Sequence, residues 1–121
     1  MKIFAVLLSL AFLFGCNKKQ NFTVISQEEA YNMINTQNVA ILDVRTKEEF
    51  NEGYIPNAIN IELNNLKDEV SNIIEDKNST ILVYCRSGNR SNQAAHILSD
   101  LGYTSVYDFG GITTWQYEIV K

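Results

Sequence analysis

The chain has 121 residues and a formal net charge of −4 at pH 7, with 45% hydrophobic and 20% charged residues. This length allows one globular domain at most. The acidic balance disfavours nucleic acid and anionic membrane surfaces as partners, because both are polyanions that bind basic proteins.

The first fifteen residues have the pattern of an export signal. Lys2 precedes residues 3–14, which are apolar apart from Ser9. This run is too short to span a bilayer, which takes about 20 helical residues, but it suits the core of a signal peptide. The Gly15-Cys16 pair resembles the bacterial lipoprotein signal. We therefore predict a signal peptide over residues 1–15, lipidation of Cys16 and a polar tether over residues 16–21.

This processing would fix the compartment and the state of the cysteines. The protein is expected outside the cytoplasm as a cell-membrane lipoprotein, or as a secreted or periplasmic protein if Cys16 carries no lipid. With Cys16 lipidated, Cys85 is the only free thiol of the two cysteines. It then has no disulfide partner in the chain and too few ligand neighbours for a zinc site. A disulfide between Cys16 and Cys85 is disfavoured because it would tie the membrane segment to the domain interior.

Residues 22–121 alternate between strand-like and helix-like segments. Strands are predicted at residues 22–25, 39–44, 59–61, 80–84 and 104–107. Helices are predicted after capping boxes at residues 26–29 and 46–49, then at residues 63–74 and 92–101, with a last helix bearing Trp115 after Gly110 and Gly111. Near-continuous apolar strands alternating with helices favour an α/β fold whose parallel sheet is covered on both faces.

The segment Cys-Arg-Ser-Gly-Asn-Arg-Ser at residues 85–91 is the most informative part of the chain. It follows a buried strand and precedes a helix, so Cys85 falls beyond a carboxyl strand end, where parallel sheets place their ligands. Backbone amides at a helix N-terminus, together with Arg86 and Arg90, favour a thiolate there. His96, the single histidine, is predicted to lie on the surface, so a Cys–His catalytic pair is not expected.

This loop resembles the active-site loop of rhodanese-type sulfurtransferases. Residues 41–50 and 53–61 resemble the first signature of that family, and residues 101–115 resemble its C-terminal signature. The match extends in order over nearly all of residues 22–119. The resemblance implies a rhodanese-like α/β domain over residues 22–121, with a mainly parallel five-stranded sheet and helices on both faces.

The resemblance also implies an activity. A sulfane sulfur would pass from thiosulfate or a persulfide donor, through a persulfide on Cys85, to cyanide or a thiol, with no metal and no organic cofactor. The partners would be a small-molecule sulfur donor and acceptor, and a thiol-bearing protein is a further acceptor to consider. Donor binding is assigned to the rest of the loop: Arg86, Ser87, Gly88, Asn89 and Arg90. Asp43 and Arg45 are assigned supporting roles. Tyr54 stands where the family most often has histidine.

Two alternatives to a sulfurtransferase belong to other functional classes. Related phosphatases and arsenate reductases have a Cys-x5-Arg loop sized for a tetrahedral oxyanion, whereas Cys85 and Arg90 form a shorter Cys-x4-Arg ring that suits a sulfur atom. The second alternative is a persulfide carrier or thiol-sensing module with little turnover of small molecules. Turnover of thiosulfate and cyanide, measured beside the mass of the intact protein, separates the carrier from the enzyme.

Overall fold

Five parallel strands form the centre of the structure, a computed structural model that describes residues 22–121. The strands are β1 (Phe22–Val24), β2 (Ala40–Asp43), β3 (Ile59–Asn60), β4 (Thr80–Cys85) and β5 (Ser105–Gly111). The helices are α1 (Gln27–Thr36), α2 (Lys47–Asn51), α3 (Leu63–Ile73) and α4 (Asn89–Asp100). The order across the sheet is β1-β5-β4-β2-β3, and every paired neighbour is parallel. The predicted α/β fold with a parallel five-stranded sheet is confirmed.

The central strands β2, β4 and β5 each contribute to two hydrophobic cores, because successive side chains point to opposite faces. Along β4, Ile81 and Val83 pack with α3 and α4, whereas Leu82 and Tyr84 pack on the face that carries Ala30 of α1 and Trp115. All four of these β4 side chains are fully buried. A sheet covered on both faces explains why β4 reads as an unbroken apolar run in the sequence.

Both predicted capping boxes are present, and they set where α1 and α2 begin. Ser26 accepts from the Glu29 backbone N–H at 3.0 Å, and Glu29 accepts in return from the Ser26 backbone N–H at 3.3 Å. Thr46 and Glu49 make the same exchange at 3.2 and 3.1 Å. Each box satisfies backbone donors that an isolated helix start leaves without partners.

The predicted last helix is wrong. Gly110 and Gly111 belong to β5, and they are followed only by a 3₁₀ turn over Ile112–Thr114. Trp115 then has extended backbone angles, and its ring packs against Phe109 in the core. The extended course of the chain brings Val120 beside Tyr54, with backbone hydrogen bonds of 2.9 and 2.8 Å in the two directions. A helix after Gly111 would not allow this pairing.

β5 also extends further than predicted, to Gly111, and its pairing with β4 shifts by one residue near that end. Val83 lies opposite Asp108, yet Cys85 lies opposite Gly111. The extra residue is accommodated at Gly110, whose φ of +89° suits glycine. The shift places Gly111 directly beside the residue that ends β4.

The predictions for residues 1–21, namely the signal peptide, lipidation of Cys16 and the tether, lie outside the described residues. Within residues 22–121, no helix combines the length and apolarity that crossing a membrane demands.

Candidate active site

Cys85 is the last residue of β4, and its side chain is held beneath the loop that follows. Only 1% of the residue is exposed. Its sulfur accepts a hydrogen bond from the backbone N–H of Gly88, with a donor–acceptor distance of 3.0 Å. Gly88 is the N-cap of α4, so this amide belongs to the positive end of the helix. An amide donor at this position stabilises negative charge on sulfur more than it stabilises a neutral thiol.

The loop turns into α4 earlier than the sequence predicted. The helix begins at Asn89, not at residue 92, because Gly88 has a φ of +108° that reverses the chain within one residue. The buried Ser91 hydroxyl donates to the Gly88 carbonyl at 3.0 Å. Arg90 therefore lies in the first turn of the helix, whereas Ser87 and Asn89 are exposed at its entrance.

The start of the loop rests on the end of β5. The backbone N–H and the hydroxyl of Thr113 both donate to the Arg86 carbonyl, at 3.2 and 3.1 Å. A methyl group added to Gly111 would lie 2.1 Å from that same carbonyl oxygen and 2.6 Å from the Ser87 Cα. The φ of Gly111 is −129°, so glycine is needed here for space and not for an unusual conformation.

Arg90 is bound by a carboxylate from another element. Its two terminal nitrogens contact the two oxygens of Glu49 on α2, at 2.7 and 3.0 Å. The hydrogen bond from Arg90 is the largest cause of the lowered pKa of Glu49, which falls to about 2. The pair raises the pKa of Arg90, and negative charge on Cys85 acts in the same direction. The ion pair thereby joins α2 to α4 beside the loop.

Asp43 and Arg45 form a second ion pair, which is buried. The closest contact joins Arg45 Nη2 to Asp43 Oδ2 at 2.7 Å, and the side chains are 6% and 0% exposed. The same Nη2 also donates to the Gly53 carbonyl at 2.7 Å, and Nη1 donates to the Glu49 carbonyl at 3.3 Å. The pair therefore fixes α2 and the chain after it to the carboxyl end of β2.

Two tyrosines contact the segment that follows α2. The Tyr84 hydroxyl accepts from the Ile55 backbone N–H at 3.1 Å, and burial is the main reason that the pKa of Tyr84 is raised. Tyr54, at the position where the family most often has histidine, stacks its ring on Phe50 with centroids 4.1 Å apart. These contacts hold the segment between α2 and β3 in place.

A cleft of about 330 Å³ opens beside the loop. Its walls come from α2 and the following turn, from the loop, and from the chain after β5: Arg45, Glu49, Glu52, Gly53, Arg86, Ile112, Thr113, Ile119 and Lys121. Of the loop residues predicted to bind the donor, only Arg86 lines this cleft, and Cys85 lies next to it in the chain without lining the cleft itself. His96 is exposed on α4, where its ring meets Phe22 edge-on. Among residues 22–121, no cluster of three or more His, Cys, Asp or Glu side chains is placed to hold a metal ion.

Sequence reasoning did not assign several residues that form the site. Glu49 was recognised as a capping residue within the first family signature but was given no role in the site, although a charged side chain in a capping box can also bind a second partner. Ile119 and Lys121 carried no signal and reach the cleft from the chain after β5, whereas Thr113 belonged to the C-terminal signature without a role assigned to it. Gly111 belonged to the C-terminal signature, and the structure gives that glycine a steric reason.

The family model of the rhodanese-like domain matches residues 26–118. Thiosulfate sulfurtransferase PspE of Escherichia coli is 42% identical over 71 residues, which are 59% of this chain and 68% of that protein. Thiosulfate sulfurtransferase GlpE of Coxiella burnetii is 32% identical over 93 residues, 76% of this chain and 85% of its own. A solved structure of rhodanese with anions from E. coli superposes with a TM-score of 0.66 at 38% identity, covering 69% of this chain and 99% of that one.

Proposed function

Since this chain belongs to the rhodanese-like domain family and is a rhodanese-type sulfurtransferase, we propose that it carries sulfane sulfur as a persulfide on Cys85. The observation that supports this proposal most directly is the 3.0 Å hydrogen bond from the Gly88 amide to the Cys85 sulfur at the start of α4. A sulfur held in this way is prepared to bear negative charge, both as a thiolate and as the outer atom of a persulfide.

The first half-reaction begins with the Cys85 thiolate. It attacks the outer sulfur of thiosulfate, a new S–S bond forms, and the old S–S bond breaks so that sulfite leaves with the bonding electron pair. Arg86, which lines the cleft, attracts the anionic donor and offsets the charge on the departing sulfite. The product is a Cys85 persulfide whose negative charge stays near the amide end of α4.

The second half-reaction transfers the outer sulfur to an acceptor. Cyanide or a thiolate attacks that sulfur, and the Cys85 sulfur leaves with the electron pair, so the thiolate is regenerated. The two half-reactions are separated in time, which predicts ping-pong kinetics. We assign no proton-transfer role to His96, because it is exposed on α4 and packs against Phe22.

The remaining loop residues are assigned by their contacts. Gly88 supplies the amide and the turn, while Ser87 and Asn89 form the exposed entrance of the loop. Arg90 fixes the loop through Glu49, and Asp43 with Arg45 anchors the opposite wall.

Steady-state kinetics of the full chain test the proposal. Thiocyanate formation from thiosulfate and cyanide should give parallel lines in double-reciprocal plots, and Cys85→Ser should remove turnover while the circular dichroism spectrum is preserved. Turnover that survives in Cys85→Ser would refute a Cys85 intermediate. Faster hydrolysis of an aryl phosphate than consumption of thiosulfate would instead favour the phosphatase class.

We further propose that residues 1–15 are removed on export and that Cys16 is lipidated, which would hold the domain outside the cytoplasm at the cell membrane. Support comes from the Lys2, apolar-run and Gly15-Cys16 pattern. Cell fractionation should find the wild-type chain in membranes and Cys16→Ser in another fraction. Equal distribution of the two proteins would contradict lipid anchoring.

A further inference from the structure

We propose that Glu49 is a specificity-determining residue, because it occupies the Arg90 guanidinium and so keeps that positive charge from acting on sulfur donors in the cleft. The inference rests on the proposed function, since it concerns which donors reach Cys85. As a consequence, the site should prefer dianionic donors over monoanionic donors less strongly than a site with two unpaired loop arginines would.

The contacts of Arg90 are the first support. Both terminal nitrogens of its guanidinium are directed at Glu49, at 2.7 and 3.0 Å. Glu49 lines the cleft beside the loop, whereas Arg90 lines a separate small pocket together with Thr46 and Glu62. An anion that enters the cleft therefore meets Arg86 without meeting Arg90. The same cleft is also lined by the carboxylate-bearing Glu49.

Glu49 is held in this position by its own helix. The oxygen that binds Arg90 Nη1 also accepts from the backbone N–H and the hydroxyl of Thr46, each at 3.1 Å. The side chain is 23% exposed, so water does not fully screen the pair. The carboxylate stays ionised across the physiological range because its pKa is about 2. Glu49 therefore stays charged and able to pair with Arg90 at neutral pH.

Substitution Glu49→Gln separates charge from shape. The amide oxygen of glutamine can still accept from Thr46, but the negative charge is lost and Arg90 becomes a net cation beside the site. A donor with two negative charges gains more from that cation than a donor with one. Thiosulfate carries two charges and methanethiosulfonate carries one, and both present a sulfane sulfur. We define the donor ratio as the kcat/KM for thiosulfate divided by the kcat/KM for methanethiosulfonate. This donor ratio should rise about fivefold in Glu49→Gln.

Glu48→Gln is the matched control. Glu48 precedes Glu49 in α2, is exposed and does not line the cleft, yet its substitution changes the net charge by the same amount. The donor ratio of Glu48→Gln should equal that of the wild type. Arg90→Gln is a second, opposite test, because it leaves Glu49 as an unpaired anion at the cleft and should lower the ratio.

The experiment measures the donor ratio for the wild type and the three variants as full chains. A higher ratio in Glu49→Gln and a lower one in Arg90→Gln, with Glu48→Gln unchanged, would support the inference. An unchanged ratio with equal losses for both donors would show a merely structural role and overturn it. An equal rise in Glu48→Gln would overturn it as well, as an effect of net charge. A wild type that turns over neither donor would instead refute the proposed function itself.

Discussion

Replacing Gly111 with alanine is expected to disable the site by displacing the active-site loop. The added methyl carbon would lie 2.1 Å from the Arg86 carbonyl oxygen and 2.4 Å from its carbonyl carbon. Carbon and oxygen atoms in close contact are normally about 3.3 Å apart or more, so the loop must retreat by about 1 Å. Overpacking of this kind costs about 1–3 kcal/mol. A misplacement of about 1 Å near reacting groups can lower the rate about 100-fold.

The assay combines urea denaturation with the kcat/KM for thiosulfate. Gly102→Ala is the control, because a methyl group there meets nothing within 4 Å, although the φ of +98° strains any side chain. The unfolding free energy should fall by about 1–3 kcal/mol in Gly111→Ala and by about 1–2 kcal/mol in Gly102→Ala. Only Gly111→Ala should lose catalytic efficiency. Wild-type kcat/KM in a folded Gly111→Ala protein would refute the argument that β5 sets the position of the loop.

Two further predictions concern the ion pairs. The Glu49 pKa is about 2 in the folded chain against an ordinary 4.5, so its pairing with Arg90 stabilises the fold fully above about pH 4.5 and is lost as the pH falls towards 2. The unfolding free energies of wild type and Glu49→Gln should differ by about 1 kcal/mol at pH 7 and converge in acid; a gap that widens in acid would contradict this sign. Arg45→Met leaves the Asp43 carboxylate fully buried without its cation, and urea denaturation should show a loss of about 3–5 kcal/mol; a loss below about 1 kcal/mol would show that the pair is not needed.

Local patterns in the sequence were sufficient to predict the sheet. The apolar runs that became β2 and β4 and the capping boxes at Ser26 and Thr46 depend on neighbouring residues, so they can be recognised without the fold. The position of Cys85 at a carboxyl strand end followed from the alternation of strands and helices.

Contacts between distant segments were not predictable in the same way. Glu49 and Arg90 are 41 residues apart, and nothing local to either one indicates the other. The 3₁₀ turn after β5 replaced a predicted helix because the Trp115 ring is buried and Val120 pairs with Tyr54. The start of α4 was set by the backbone angle of Gly88, which a helical sequence pattern does not report.

A single-turnover experiment on the Cys85 persulfide tests the central proposal most directly. The full chain is mixed with thiosulfate, freed of small molecules, weighed by intact-protein mass spectrometry and then exposed to cyanide. We expect a gain of one sulfur atom per chain on Cys85, followed by its loss with one equivalent of thiocyanate. Turnover without that adduct, or the same adduct on Cys85→Ser, would contradict transfer through Cys85. An adduct that cyanide and thiols cannot remove would contradict the role of the persulfide as an intermediate.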